Sequence, residues 1–217
     1  MGTRHLICVF YRGRFVVAQY GQLDGYPEAQ GLKVLAFLRN AENIEKFKQG
    51  LEHTYTPTDA EVEEFEQAMA KLDQEFWAAP VPGKEFDRKR KAVCPSLSCN
   101  TSAEILEVVA NATTEAPVPI RLGLEFIHDG LFCEWAYVVD LDAEVLEVFN
   151  GIEEEYEGSS QRFKGVPGAV ENEVPSLLKA YAFAELPATD DEFLADMKVS
   201  IEQRRERQKE ARRKRKE

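Results

Sequence analysis

No apolar run in this chain reaches the roughly 18–20 residues that a membrane-crossing helix needs, so no membrane partner is expected. The apolar run at residues 6–11 is too short for the core of a secretory signal. Met1-Gly2 opens like a myristoylation signal, yet the sixth position, which that signal reserves for Ser or Thr, holds Leu6. The cytoplasm is the expected compartment, with the nucleus as the alternative raised by a basic C-terminal end. Cysteine is scarce, at four residues, and outside the secretory route all four are expected to be reduced. Cys8 and Cys133 fall in apolar, strand-like runs, where a thiol acts as a small hydrophobe. Cys94 and Cys99 sit at the edge of zinc-ligand spacing, but a structural zinc site needs a second close pair. Only the isolated Cys8, Cys133, His5, His53 and His128 remain to supply one, so no metal and no cofactor is expected. No internal repeat is present, and no set of nucleophile, base and acid spells out a reaction.

What is there is ordinary in bulk and uneven in charge. Apolar residues at 44% and charged residues at 30% fit a globular chain, and 217 residues can bury a core without disulfide staples. The net charge of −12 hides a split: residues 201–217 carry nine Lys/Arg against four Glu, leaving −17 on the remainder. An acidic body repels a nucleic-acid backbone, whereas Arg212-Arg213-Lys214-Arg215-Lys216 would attract one or serve as an import signal. The same residues also fit a solvated helix end, because Glu202, Glu206 and Glu210 stand four apart with basic residues following at helical spacing. A second basic cluster, Arg88-Lys89-Arg90-Lys91, lies in a Pro/Gly-bearing stretch and reads as an exposed, linker-like insertion over residues 79–100, beginning at Pro80.

Periodicity orders the rest. Residues 6–11 and 15–20 flank Arg12-Gly13-Arg14 and predict a β-hairpin. Leu32, Leu35 and Leu38, then Ile44, Phe47 and Leu51, predict two helices. Thr58-Asp59-Ala60-Glu61 is a capping box opening a helix whose stripe of Val62, Phe65, Met69, Leu72 and Phe76 reads as core-facing, with a short coiled-coil seam as the alternative. Thr101-Ser102-Ala103-Glu104 and Thr189-Asp190-Asp191-Glu192 read as two more capping boxes. Ile120, Leu122, Leu124 and Phe126 alternate and predict a strand, while 133–141 and 145–149 predict a second hairpin. Residues 153–175 read as a loop, and 177–183 as an edge strand or a short helix. The expected fold is one α+β domain over 1–200. In it a single antiparallel sheet, made of the N-terminal hairpin and the central strands, is covered by helices. A C-terminal helix ends in the basic tail of 201–217.

Met1-Gly2-Thr3-Arg4, the hairpin after it, and Gln22-Leu23-Asp24-Gly25-Tyr26-Pro27 with Gly31 resemble the opening of an uncharacterised family with fungal, bacterial and phage members. The segment 101–112 and the run 131–140, Leu-Phe-Cys-Glu-Trp-Ala-Tyr-Val-Val-Asp, resemble its fungal members. The resemblance covers about two thirds of the chain. It implies no activity and no catalytic residue, and marks Thr3, Arg4 and the 22–27 segment as defining features of the fold.

The chemistry of that segment supports a binding site. Arg4 offers five donors to a carboxylate or phosphate, Asp24 can pair with it, cap a helix or act as a base, and Tyr26 offers a ring and a hydroxyl. A pocket of Arg4, Gln22, Asp24 and Tyr26 for a small anionic ligand, or for a protein partner, is the leading functional expectation. Against it stands a purely structural account: Asp24-Gly25 makes a turn, Tyr26 packs, Pro27 starts a helix and Arg4 neutralises Asp24. A different class of reading is an N-terminal-nucleophile hydrolase using Thr3, which requires removal of both Met1 and Gly2. A third is nucleic-acid association confined to residues 201–217. Cys8 with His5 fails as a catalytic pair, since residues three apart on a strand face opposite ways. Glu134 and Asp140 share a face but stand roughly 20 Å apart, too far for paired carboxylates.

Overall fold

The computed structural model describes residues 2–79 and 82–214, by backbone alone at 211, 212 and 214. Met1, Pro80 and the tail end at Arg215-Lys216 lie outside the described residues, as do the side chains of Arg212 and Lys214. Seven strands are formed among them: β1 (His5–Tyr11), β2 (Arg14–Gly21), β3 (Thr54–Tyr55), β4 (Val118–Pro119), β5 (Trp135–Asp140), β6 (Val145–Glu154) and β7 (Glu173–Ala182). The helices are α1 (Leu32–Leu38), α2 (Ala41–Gly50), α3 (Asp59–Ala78), α4 (Gly83–Val93), α5 (Ile105–Ala110) and α6 (Asp190–Lys214).

Five strands form one sheet in the order β2-β1-β5-β6-β7, and β3 pairs with β4 in a small separate ladder. The sheet is mixed, which corrects the antiparallel expectation: β1 and β5 run parallel, with Leu6 beside Ala136 and Val9 beside Val139. Alternation of side chains marks a strand's faces and says nothing of its neighbour's direction. Here β2 brings the chain back to the end of the sheet where β1 starts, beside His5, and after α1 to α5 the chain re-enters at that same end on the other side of β1, so β5 runs parallel to β1. The β1–β2 turn is left-handed at both Arg12 (φ 52°) and Gly13 (φ 74°), as a tight hairpin requires. Asp142, from the β5–β6 turn, accepts the backbone N–H groups of Arg12 and Gly13, each at 2.9 Å.

The two faces of the sheet are buried by different means. Ile7, Val9, Val17, Tyr137, Val139, Leu146 and Val148 meet α1, α2, α5 and α6 through Leu35, Phe47, Leu106, Phe193 and their neighbours. Leu6, Cys8, Ala136, Val138 and Phe149 face the other way, against Ile127, Phe163 and Val166 from irregular segments. Arg162 fastens this second cover: its Nη2 meets Asp140 Oδ2 at 2.6 Å, its Nε donates to Glu147 Oε2 at 2.7 Å, and its guanidinium stacks over Phe10. Helices α2 and α5 touch at backbone distance. A Cβ at Gly50 would collide with the Val109 carbonyl, so Gly50→Ala is expected to cost at least the ~1–3 kcal/mol of ordinary overpacking, read as a lower urea midpoint.

Other expectations shift for identifiable reasons. The predicted strand at 120–126 is instead a short 3-10 turn, Leu124–His128, preceded by irregular chain. Only two backbone bonds hold the stretch before that turn, Ile120 N–H to Tyr55 O and Gly123 N–H to Ala18 O, too few for a ladder. Residues 83–93, read as irregular, form α4, and α4 receives the stripe of α3. Phe76 and Phe86 lie 4.3 Å apart between ring centres, and Arg90 pairs with Asp73. Of α3 only Met69 is buried, and no α3 residue joins either main cluster, so its stripe builds a helical hairpin rather than the core. The Thr58 and Thr189 boxes form. The Thr101 box does not, because Ser102 turns left-handed (φ 48°) where a helix's first turn should begin, and α5 starts only at Ile105. Residues 177–182 form a strand, within β7 at the sheet's far edge, and Phe183 opens a short 3-10 turn. The loop expected over 153–175 is shorter, because β6 runs on to Glu154 and β7 starts at Glu173. No break separates a tail at residue 201: α6 runs through it. Arg204 from this part of α6 donates to Asn150 Oδ1 (2.6 Å) and the Ile152 carbonyl (3.0 Å), and Arg207 approaches Glu153 at 3.7 Å.

Candidate functional site

The segment after β2 is drawn tightly to the end of the sheet. Gly25 donates its N–H to the Thr3 carbonyl (3.0 Å), and its own carbonyl accepts the Tyr137 hydroxyl (2.9 Å). Burial pushes the Tyr137 phenol well above its ordinary range, keeping it a donor. A Cβ at Gly25 would lie 2.8 Å from that of His5, so this approach needs glycine. Asp24, at φ 58°, and Tyr26, 43% exposed, project from the loop on either side. The Tyr26 carbonyl then accepts the Ala29 N–H and starts a π-helical turn, Pro27–Gly31, that feeds α1.

The four residues expected to form a pocket are divided. Arg4 lies over the Phe132 ring, 4.3 Å from its centre, and beside the Tyr20 hydroxyl, which donates to Gln22 Oε1 at 3.1 Å. Burial raises the Tyr20 phenol, with Arg4 opposing. Arg4 and Gln22 thus converge on the face covered by irregular chain. Asp24 acts instead on His5, whose ring is on the helix-covered face, and no ion pair joins Arg4 to Asp24 among the described residues. Thr3 is 6% exposed, and Gly2 before it is packed against Gln22 and Leu23.

The most unusual chemistry lies where sequence reasoning assigned no site. His5 is fully buried, and neither Nδ1 nor Nε2 has a hydrogen-bond partner. Burial drives its pKa down to about 4; the nearby Thr3 carbonyl opposes this, without bonding geometry, as does Asp24, while Lys33 adds to the fall. The ring is neutral at physiological pH. A Cβ at Gly21 would collide with it and lie 2.7 Å from Ser102 Oγ, so ring and hydroxyl flank that glycine. Gln19, two residues earlier on the same strand face, donates through Nε2 to the Ser98 and Tyr20 carbonyls, and leaves Oε1 unpartnered. Ser98 Oγ and Thr101 Oγ1 are likewise buried and unpartnered, although the Ser98 carbonyl accepts the Thr101 N–H. Gln30 reaches in from the π-helical turn and accepts the Ala103 N–H at 3.2 Å. The signal for this cluster was two polar residues, His5 and Gln19, on the inward face of otherwise apolar strands.

Among the described residues no group of three or more His, Cys, Asp or Glu is placed to hold a metal ion. Cys94 and Cys99 bond locally, to Ser96 and Asn100. No family model, no curated protein and no solved structure matches this chain.

Proposed function

We propose that the protein is a binding module for a small, neutral, polar molecule held between His5, Gln19, Ser98 and Thr101. The observation that carries this reading is the set of five unpartnered buried polar atoms at one end of one sheet face. Each such atom costs about 1–3 kcal/mol when left unsatisfied, and natural interiors rarely tolerate several together. The set mixes an amide acceptor, two hydroxyls and a neutral imidazole, so it suits a partner with at least one donor and one acceptor, such as a polyol or an amide. An ion is disfavoured: no charged side chain among the described residues hydrogen-bonds these atoms, and an uncompensated buried charge costs several kcal/mol. The anionic ligand expected from the sequence depended on Arg4, which is engaged with Phe132 and Tyr20 on the opposite face.

The test combines native mass spectrometry with a crystal structure of protein purified without denaturant. An organic molecule bonded to His5 and Gln19, with matching extra mass that disappears on denaturation, is expected. Gln19→Leu with Ser98→Ala should abolish it. Ordered water alone at those atoms, with no extra mass, overturns the reading.

A further inference from the structure

We propose that a second site, at the opposite end of β2, binds an amphipathic anion: a carboxylate or sulfonate carried on an apolar body. A cleft of about 320 Å³ opens beneath the β1–β2 turn, within the size range of small-molecule sites. Leu51, Ile120 and Leu122 supply apolar wall, Tyr55 an aromatic one, and Arg12 and Arg14 bring two guanidiniums to it. The two arginines differ. Arg12 is neutralised by Glu52 at 2.9 Å and lies over the Tyr11 ring. Arg14 has no carboxylate partner among the described residues; Glu61, a further carboxylate beside the cleft wall, lies against the Tyr55 hydroxyl and the Thr58 cap.

Three features make this more than an exposed arginine. The turn that carries the cations is fixed, both of its left-handed residues being held by the Asp142 carboxylate. That pre-organisation lowers the ordering cost of binding. Apolar surface is left open beside the charge, with Leu122 43% and Tyr55 37% exposed. Finally, in a chain of net −12 an arginine without a carboxylate partner, set beside apolar wall, favours anions locally. An apolar body would cover Leu122 and Tyr55 while its acid group meets Arg14. A free inorganic anion would gain only the second contact, and a neutral apolar molecule only the first.

The experiment is a fluorescence titration of the full chain with 1-anilinonaphthalene-8-sulfonate, followed by competition with decanoate and with decanol. Saturation at one site is expected, with displacement by decanoate and far weaker displacement by decanol. Arg14→Gln should raise the dissociation constant about tenfold, the worth of one charge-assisted contact. Arg88→Gln, on the exposed face of α4, should leave it unchanged. Leu122→Asp should abolish binding while the circular dichroism stays native. Absence of saturable binding, equal affinity in Arg14→Gln and the parent, or equal competition by decanol overturns the proposal. None of these outcomes bears on His5 and Gln19, which belong to the other end of the hairpin.

Discussion

Arg162→Met is expected to remove about 3–5 kcal/mol of stability, the usual cost of leaving buried partners of an ion pair unmatched. Arg162 sits between Asp140 and Glu147, whose side chains are only 4% and 13% exposed. Burial by itself would lower the guanidinium's pKa, but Glu147 and Asp140 outweigh it and raise the pKa on balance. Methionine fills similar space over Phe10 and leaves two carboxylates facing each other in a poorly hydrated layer. Asp140 Oδ1 also accepts the Asp142 and Ala143 N–H groups, so the disturbance passes into the turn that holds the first hairpin. Urea denaturation reads the loss. Adding Glu147→Met and Asp140→Asn to Arg162→Met should recover most of it, because a matched apolar replacement of a buried ion cluster is often neutral. A deficit below about 1 kcal/mol in the single variant would mean that Arg162 behaves as a surface charge.

The second large effect is acid sensitivity at His5. Its folded pKa near 4 lies below the ordinary 6.5, so between these values the unfolded chain binds more protons than the folded one. Stability therefore rises with pH across that window and falls as pH drops through it. The full swing is about 3 kcal/mol. Many carboxylates titrate over the same range, which makes the difference between parent and His5→Gln the informative quantity. Unfolding free energies measured from pH 7 to pH 4 should show the parent losing about 3 kcal/mol more than the variant. Parallel curves would mean that the imidazole is solvated or partnered. A ligand donating a hydrogen bond to the unprotonated His5 nitrogen would favour the neutral ring further and be released on acidification.

The strands of the main sheet were readable as short apolar runs bounded by turn residues, the pattern of strands whose two faces both meet apolar partners. β1, β2, β5 and β6 satisfy this condition. Ile120 to Phe126 alternate, but no free ladder accepts them, and pairing is a property of the neighbour rather than of the segment. The stripe of α3 was legible as a stripe; that it meets α4 rather than the sheet depends on a basic helix that looked like linker. The Asp24-Gly25 turn was likewise legible, because turn chemistry is local. The buried cluster was not. Ser98 and Thr101 reach His5 and Gln19 only because the chain near residue 100 crosses the outer edge of β2, where Gln22 N–H meets the Cys99 carbonyl. Nothing in the 94–102 stretch announces that crossing. The left-handed Ser102 that follows it replaced an apparently sound capping box.

The parallel contact of β1 with β5 sets a timetable for a chain emerging from a ribosome. The hairpin β1–β2 closes locally, as does the meander β5–β6–β7, but the seam between them joins Leu6 to Ala136. At ~5–20 residues per second the first hairpin waits on the order of ten seconds for its partner. Throughout that interval the inner edge of β1, running through Leu6, Ile7, Cys8 and Val9, offers unpaired amides flanked by apolar side chains. Such an edge recruits any strand that arrives first, including the same hairpin of a neighbouring nascent chain. Growth at low temperature, which slows translation, lengthens this exposure, so the yield of soluble protein depends on how long β1 stands alone.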